Sequence, residues 1–202
     1  MSQIALPLVW PAGEDERSFC AGEANAEVLR HLGHWALWPV MATILTGPRK
    51  SGRSLLGRIF AARTGGQLID DAETRDEEAI FHAWNRAQTT RRPLLLIADT
   101  APPAWRVALP DLASRLAASP HVAIAEPDDA LLRAILEKLL AQRGLAARPD
   151  VLLWLVQRIE RSYVGLLRAV DAIDEAALVR RSPLTIPLAR RALATRGVID
   201  DS

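Results

Sequence analysis

Cysteine, tyrosine and methionine are scarce in this sequence of 202 residues, which has one cysteine, one tyrosine and two methionines. The single cysteine, Cys20, excludes a disulfide within the chain and fits a reducing compartment. No apolar run approaches the ~20 residues that a membrane-spanning helix needs. The first residues also lack the basic and apolar segments of a signal peptide. We therefore expect a cytoplasmic protein with no membrane partner.

A strong excess of one charge is also missing. The chain has 25 basic and 24 acidic residues, for a formal net charge of +1. This balance predicts no strong direct binding to DNA or to an anionic membrane. Arginine is abundant instead and accounts for 23 of the 25 basic residues. Its planar guanidinium suits bidentate contact with phosphate or carboxylate better than lysine does.

Short apolar runs alternate with helical patterns up to residue 126. Strands are predicted at 40–46, 67–71, 93–99 and 121–125, and helices at 24–37, 54–62, 76–90 and 109–116. This alternation predicts an α/β fold with a parallel sheet. Beyond residue 126 the pattern indicates only helices, at 128–143, 149–158, 162–180 and 187–195. We predict an extended arm at 1–18, an α/β core at 19–126 and a helical lid at 127–202.

Residues 47–54, Gly-Pro-Arg-Lys-Ser-Gly-Arg-Ser, follow a predicted strand and open a predicted helix, which is the context of a phosphate-binding loop. Gly47 and Gly52 permit the turn that directs backbone N–H groups at a phosphate. Ser54 stands where a hydroxyl would hold Mg²⁺. Arg53 stands where the pattern has lysine, which predicts weak nucleotide binding or binding without efficient hydrolysis. The predicted nucleotide-binding residues are Gly47, Pro48, Arg49, Lys50, Ser51, Gly52, Arg53, Ser54 and Leu55. The alternative is a glycine-containing turn without a ligand.

Acidic residues follow two of the predicted strands. Asp70 is predicted to orient Mg²⁺ and Asp71 to polarise the attacking water. Asp99 ends another strand and should lie beside the same site, because the carboxyl ends of parallel strands meet at one edge. Each has a simpler alternative, since solvated acids are common at strand ends and a lone Asp there often caps a helix. Arg115 and Arg161 are further candidates for phosphate contact.

Four segments taken in order resemble a known family. Residues 3–8, Gln-Ile-Ala-Leu-Pro-Leu, are similar to a sliding-clamp-binding peptide. Residues 98–103 resemble a sensor 1 segment, and 109–116, Leu-Pro-Asp-Leu-Ala-Ser-Arg-Leu, an arginine-finger box. Residues 159–171 resemble a sensor 2 helix. Together they look like the AAA+ ATPases, within them the DnaA-related branch, and most closely the Hda family of regulatory inactivators.

This resemblance implies a P-loop AAA+ core followed by an all-α lid. The chain is short between Ala62 and Gln67, so the parallel sheet should have about four strands rather than five. The family implies ADP or ATP with Mg²⁺, contacted also by Asp99 and Arg161, and an arginine finger, Arg115, that acts in trans. It also implies two partners, the DNA polymerase sliding clamp (beta subunit) and DnaA, and self-association. The clamp-binding residues would be Gln3, Ile4, Leu6, Pro7 and Leu8.

The implied function is negative regulation of replication initiation, by promoting hydrolysis of ATP bound to DnaA. The sequence ends after the lid, without the helix-turn-helix domain that DnaA uses to recognise origin DNA, which argues against an initiator. Two alternatives remain open. One is an autonomous ATPase or helicase loader, against which Arg53 counts. The other is a degenerate interaction module that no longer binds nucleotide. An arm that simply packs on the core is likewise the alternative to a clamp-binding peptide.

Overall fold

The computed structural model of the chain describes residues 19–180 and 184–199. In these ranges the strands are β1 (Ala42–Thr46), β2 (Gln67–Ile69), β3 (Leu94–Ile97) and β4 (His121–Ala123). The α-helices of the core are α1 (Glu23–Gly33), α2 (Arg53–Thr64), α3 (Glu77–Thr90) and α4 (Pro110–Ala118). Those that follow are α5 (Asp129–Gln142), α6 (Pro149–Val156), α7 (Tyr163–Arg180) and α8 (Ile186–Thr195). The predicted α/β order, followed by helices alone, is confirmed.

The four strands form one parallel sheet in the spatial order β2-β3-β1-β4. Ile44 of β1 lies opposite Leu96 of β3 on one side and opposite His121 of β4 on the other. All residues of β1 and β3 are buried, as expected for parallel strands with both faces covered. The prediction of about four strands is confirmed. Since α2 ends at Thr64 and β2 begins at Gln67, the chain has no room there for another strand and helix.

Local sequence signals explain where several helices begin. The Asp76 carboxylate accepts a hydrogen bond from the backbone N–H of Ala79 at 3.0 Å, and Asp128 accepts one from Leu131 at 2.7 Å. These contacts satisfy N–H groups that have no partner within the helix. Pro110 begins α4, where its missing N–H carries little cost.

The helix predicted at 24–37 extended too far. In the structure α1 ends at Gly33, and a separate 3₁₀ turn covers Trp35–Leu37. The indole N–H of Trp38 donates to the His31 carbonyl oxygen at 3.0 Å, and the two rings stack with centroids 4.8 Å apart. Burial of Trp38 therefore turns the chain back onto α1, and the glycine at the helix end offers little resistance to that turn.

The apolar interior consists of two clusters that meet at α5. Leu131 belongs to the cluster around the sheet, whereas Leu132 and Leu136 belong to the cluster formed by the helices after residue 128. One helix thus contributes to both interiors. The division predicted near residue 126 stays a prediction. None of the helices in the described ranges combines the length and apolarity that crossing a bilayer requires.

Tyr163 connects the first turn of α7 to the end of the α/β region. Its side chain is buried, and its hydroxyl donates a hydrogen bond to the Ala125 carbonyl oxygen at 3.2 Å. Burial, with smaller contributions from Glu126 and Asp128, raises the pKa of Tyr163 to about 12. The hydroxyl therefore remains protonated at neutral pH and keeps its role as a donor.

Candidate nucleotide-binding site

The loop between β1 and α2 has the backbone form that a phosphate-binding loop needs. Gly47 has φ +150° and Gly52 has φ +89°, both in a region that favours glycine. A Cβ atom on Gly47 would lie 2.9 Å from the side chain and carbonyl oxygen of Ile124. Lys50 also has positive φ, at 65°. The glycines at these two positions are therefore required by the local geometry.

The loop also contains a polar group without a partner. Ser51 is buried, and its hydroxyl has no hydrogen-bond partner among the described residues, although buried hydroxyls are normally bonded. The first turn of α2 has Gly52 as its N-cap and no side-chain cap, so its N–H groups are available to an anion. A bound phosphate would satisfy both features. Residues 47–55 therefore fit the phosphates of a nucleotide.

Arg53 makes the contacts that distinguish this loop. One terminal nitrogen donates to the carbonyl oxygen of Ala98 at 2.5 Å, and the other pairs with Asp99 Oδ1 at 2.7 Å. The Arg53 side chain is only 13% exposed, whereas Asp99 is 65% exposed. The guanidinium thus ties the first turn of α2 to the end of β3. Lysine, with a single point charge, could not reproduce this two-pronged contact.

The structure also places the predicted acids at this edge of the sheet. Asp71 is exposed and has positive φ, 52°. Asp70 uses Oδ1 to accept the backbone N–H of Asp71 at 3.1 Å. No group of three or more His, Cys, Asp or Glu side chains in the described ranges is arranged to hold a metal ion. A Mg²⁺ ion at Ser54 and Asp70 stays a prediction, in which nucleotide and water would supply most ligands.

Glu73 is an acid at this edge that the sequence interpretation missed. One carboxylate oxygen accepts the backbone N–H of Asp99 at 2.7 Å, while the other is buried with no hydrogen-bond partner in the described part of the chain. Glu73 lies in a 3₁₀ turn, Ala72–Thr74, directly after the predicted acids. The sequence Asp-Asp-Ala-Glu at residues 70–73 was the signal from which Glu73 could have been predicted. Glu73, Asp99 and Arg53 form a continuous chain of contacts from β2 to the loop.

A cleft of about 380 Å³ lies between the loop and the helices that follow the core. Such a volume is typical of small-molecule sites. The ring of Phe19 approaches Gly52, where an added Cβ atom would be 3.1 Å from it. The lining residues are Phe19, Cys20, Asn25, Lys50, Ser51, Gly52, Leu55, Ile135, Lys138, Leu139, Gln142, Tyr163, Leu166 and Leu167.

The two candidate arginines lie outside this lining. Arg161 pairs with Asp129 at 3.1 Å, and both side chains are more than half exposed, so the pair is weak. A phosphate contact by Arg161 stays a prediction and requires this pair to open. Arg115, near the end of α4, lies against the rings of Phe81 and Trp84. The predicted clamp-binding residues, at 3–8, lie outside the described residues.

Comparisons with known proteins agree with this geometry. The family model described as "Hda, lid domain" matches residues 128–193. An uncharacterized protein of Haemophilus influenzae is 35% identical over 118 residues, which are 58% of this chain and 51% of that protein. The match therefore spans about half the length of that curated relative.

Solved structures show the same fold. Domain III of the Thermotoga maritima replication initiation protein DnaA superposes with a TM-score of 0.73 at 14% identity, covering 91% of this chain and 96% of that one. AMPPCP-bound DnaA from Aquifex aeolicus gives a TM-score of 0.61 at 16% identity, covering 82% and 67%. A Thermotoga maritima RuvB structure gives 0.66 at 13% identity, covering 91% and 74%. The helices after the core thus match the Hda lid domain, and the chain as a whole shares the fold of DnaA domain III.

Proposed function

We propose that this chain is a negative regulator of replication initiation that promotes hydrolysis of ATP bound to DnaA. In this proposal residues 3–8 dock on the sliding clamp, and Arg115 completes the catalytic site of DnaA. The Hda-type lid supports the family from which this activity is carried over. The proposal includes a cytoplasmic location, self-association and no strong direct contact with DNA.

The location of Arg115 is the observation that carries the proposal. Its guanidinium lies between α3 and α4, and it does not line the cleft beside the chain's own phosphate loop. A phosphate that Arg115 contacts should therefore belong to another molecule. An arginine supplied in trans stabilises the charge that develops on the transferred phosphoryl group. The test is single-round hydrolysis of DnaA-bound ATP with the clamp loaded on DNA, and an unchanged rate would contradict the proposal.

In the chain's own site we propose ADP or ATP with a structural role. Residues 47–55 would hold the phosphates, Ser54 and Asp70 would contact Mg²⁺, and the bound nucleotide would supply the charge that keeps the loop ordered. Asp71 would face the water if any hydrolysis occurs there. Because Arg53 is already bonded to Ala98 and Asp99, we expect weak binding and little intrinsic hydrolysis.

The same contacts of Arg53 favour a second candidate, an interaction module that works without nucleotide. Here the guanidinium fixes the loop to β3 and makes the ligand unnecessary. An autonomous ATPase or helicase loader is less well supported. It needs ATP turnover at a site where Arg53 is already bonded to Ala98 and Asp99.

Changing Arg53 to Lys separates these candidates. If the chain holds nucleotide, the lysine ammonium is free for a phosphate, and we expect ADP affinity to rise about tenfold, as one charged hydrogen bond would give. Calorimetric titration measures this change, and Arg58→Lys, an exposed position on α2 beyond the loop, is the matched control. No heat from either the wild-type chain or Arg53→Lys would favour the nucleotide-free module.

A further inference from the structure

Arg115 is held by two aromatic rings from the neighbouring helix. The carbon at the centre of its guanidinium lies 4.5 Å from the Phe81 ring centroid and 4.9 Å from that of Trp84. Both distances are within the range of favourable cation–π contact. Phe81 and Trp84 lie three residues apart on α3, so they share one face of that helix. We call these two rings the aromatic cradle.

The orientation of Trp84 is fixed by the backbone of the same arginine. The indole N–H of Trp84 donates to Ser119 Oγ at 3.1 Å, and Ser119 Oγ in turn donates to the carbonyl oxygen of Arg115 at 2.9 Å. Ser119 is buried, so water competes little for these bonds. The cradle and the helix that carries Arg115 therefore form one connected unit.

The charge on Arg115 has no acidic partner in the described ranges. Among the described residues its buried Nε has no hydrogen-bond partner, and none of the ion pairs found there includes Arg115. An arginine that only covers apolar surface usually extends its head into water. Because Nε of Arg115 is buried, the terminal amino groups are the part of the guanidinium that can contact a ligand. A half-buried cation of this kind favours an anion from outside.

We propose that Phe81 and Trp84 are positioning residues for Arg115. The cradle holds the guanidinium in one orientation before a partner arrives, with the terminal amino groups directed at a phosphate that the partner carries. Pre-ordering matters because arginine has many rotamers to lose on binding. This inference rests on the proposed function, since the phosphate is that of the nucleotide bound to DnaA.

The main test changes the cradle and keeps the arginine. We expect Phe81→Leu with Trp84→Leu to lower the maximal rate of DnaA-bound ATP hydrolysis about tenfold or more, because small misplacements of a catalytic group are costly. The half-saturating concentration of the chain should change little. Trp84→Phe keeps a ring and should keep most of the rate. Trp35→Leu, a half-buried tryptophan in the turn after α1, is the matched control.

A second measurement detects the contact between Arg115 and the aromatic cradle in the absence of DnaA. In an NMR spectrum of the full chain, the Arg115 Nε–H signal should be shifted by the ring currents and should exchange slowly with water. It is assigned by its loss in Arg115→Lys. Both properties should disappear in the double leucine variant and persist in Trp35→Leu. Should the double variant fail to fold, Phe81→Leu alone replaces it in both measurements.

The outcomes distinguish failure of the positioning role of the cradle from failure of the proposed function. A full hydrolysis rate in the cradle variants, together with a lost rate in Arg115→Ala, would overturn the cradle and leave the proposed function standing. An Arg115 Nε–H signal that the leucine changes do not move would also overturn the cradle. A full rate in Arg115→Ala would overturn both.

Discussion

Arg115→Ala is expected to reduce the stimulated hydrolysis of DnaA-bound ATP by about a thousandfold, to near the rate of DnaA alone. Arginine fingers supplied by a partner contribute roughly 10³–10⁵ to the rate, and alanine removes every donor of the guanidinium. The side chain is half-buried and makes no ion pair among those found in the described ranges. Its loss should therefore leave the fold intact. Single-round hydrolysis and a thermal melt measure the two effects.

Two further variants define what the arginine supplies. Arg115→Lys keeps the charge but loses the planar fork, so it should recover only part of the rate. Arg86→Ala removes an exposed arginine from α3, the helix of the cradle, and should leave the rate unchanged. If Arg86→Ala and Arg115→Ala behave alike, the effect would reflect general charge, and a specific role for Arg115 would be wrong.

Changing Gln3 and Leu6 together to Ala should abolish detectable binding to the sliding clamp. An extended segment with a proline loses little freedom on binding, and its affinity comes from a few side chains. Burial of one leucine contributes about 1.5–3 kcal/mol, which alone is roughly a tenfold to hundredfold change in affinity. Loss of the glutamine contact adds to this change.

Binding to immobilised clamp measures the effect of the arm. The matched control is Glu14→Ala with Asp15→Ala, which changes the polar part of the same arm and should bind as the wild-type chain does. Unchanged binding by the Gln3 and Leu6 variant would assign the clamp contact, if there is one, to another surface. The arm would then fit the simpler interpretation of an apolar segment that packs on the core.

Sequence reasoning predicted the features of the fold that depend on neighbours in the chain. The run that became β3 is apolar throughout, and that of β1 is apolar apart from Thr43 and Thr46. The helix starts predicted at 76 and 128 coincide with Asp76 and Asp128, which cap their helices through contacts three residues away. The strand count followed from the short segment between residues 62 and 67. Such signals are local, so one sequence is sufficient to find them.

Contacts between distant segments could not be predicted in this way. Glu73 meets the backbone of Asp99, 26 positions later, and Arg115 lies against α3, whose rings are about 30 positions earlier. The partner of Arg161, Asp129, is 32 positions away. Each contact depends on how helices and loops pack on the sheet. The side-chain pattern therefore identified the arginines, and only the structure showed what holds them.

The most direct test of the proposed function is to determine which ATP molecule is hydrolysed and whether its hydrolysis requires the loaded clamp. DnaA carrying labelled ATP is mixed with the wild-type chain, with and without clamp loaded on DNA, and the label is followed through one round. The account predicts rapid conversion to ADP on DnaA only when both the chain and the loaded clamp are present. No acceleration, or equal acceleration without the clamp, would contradict it, as would rapid turnover of ATP by the isolated chain.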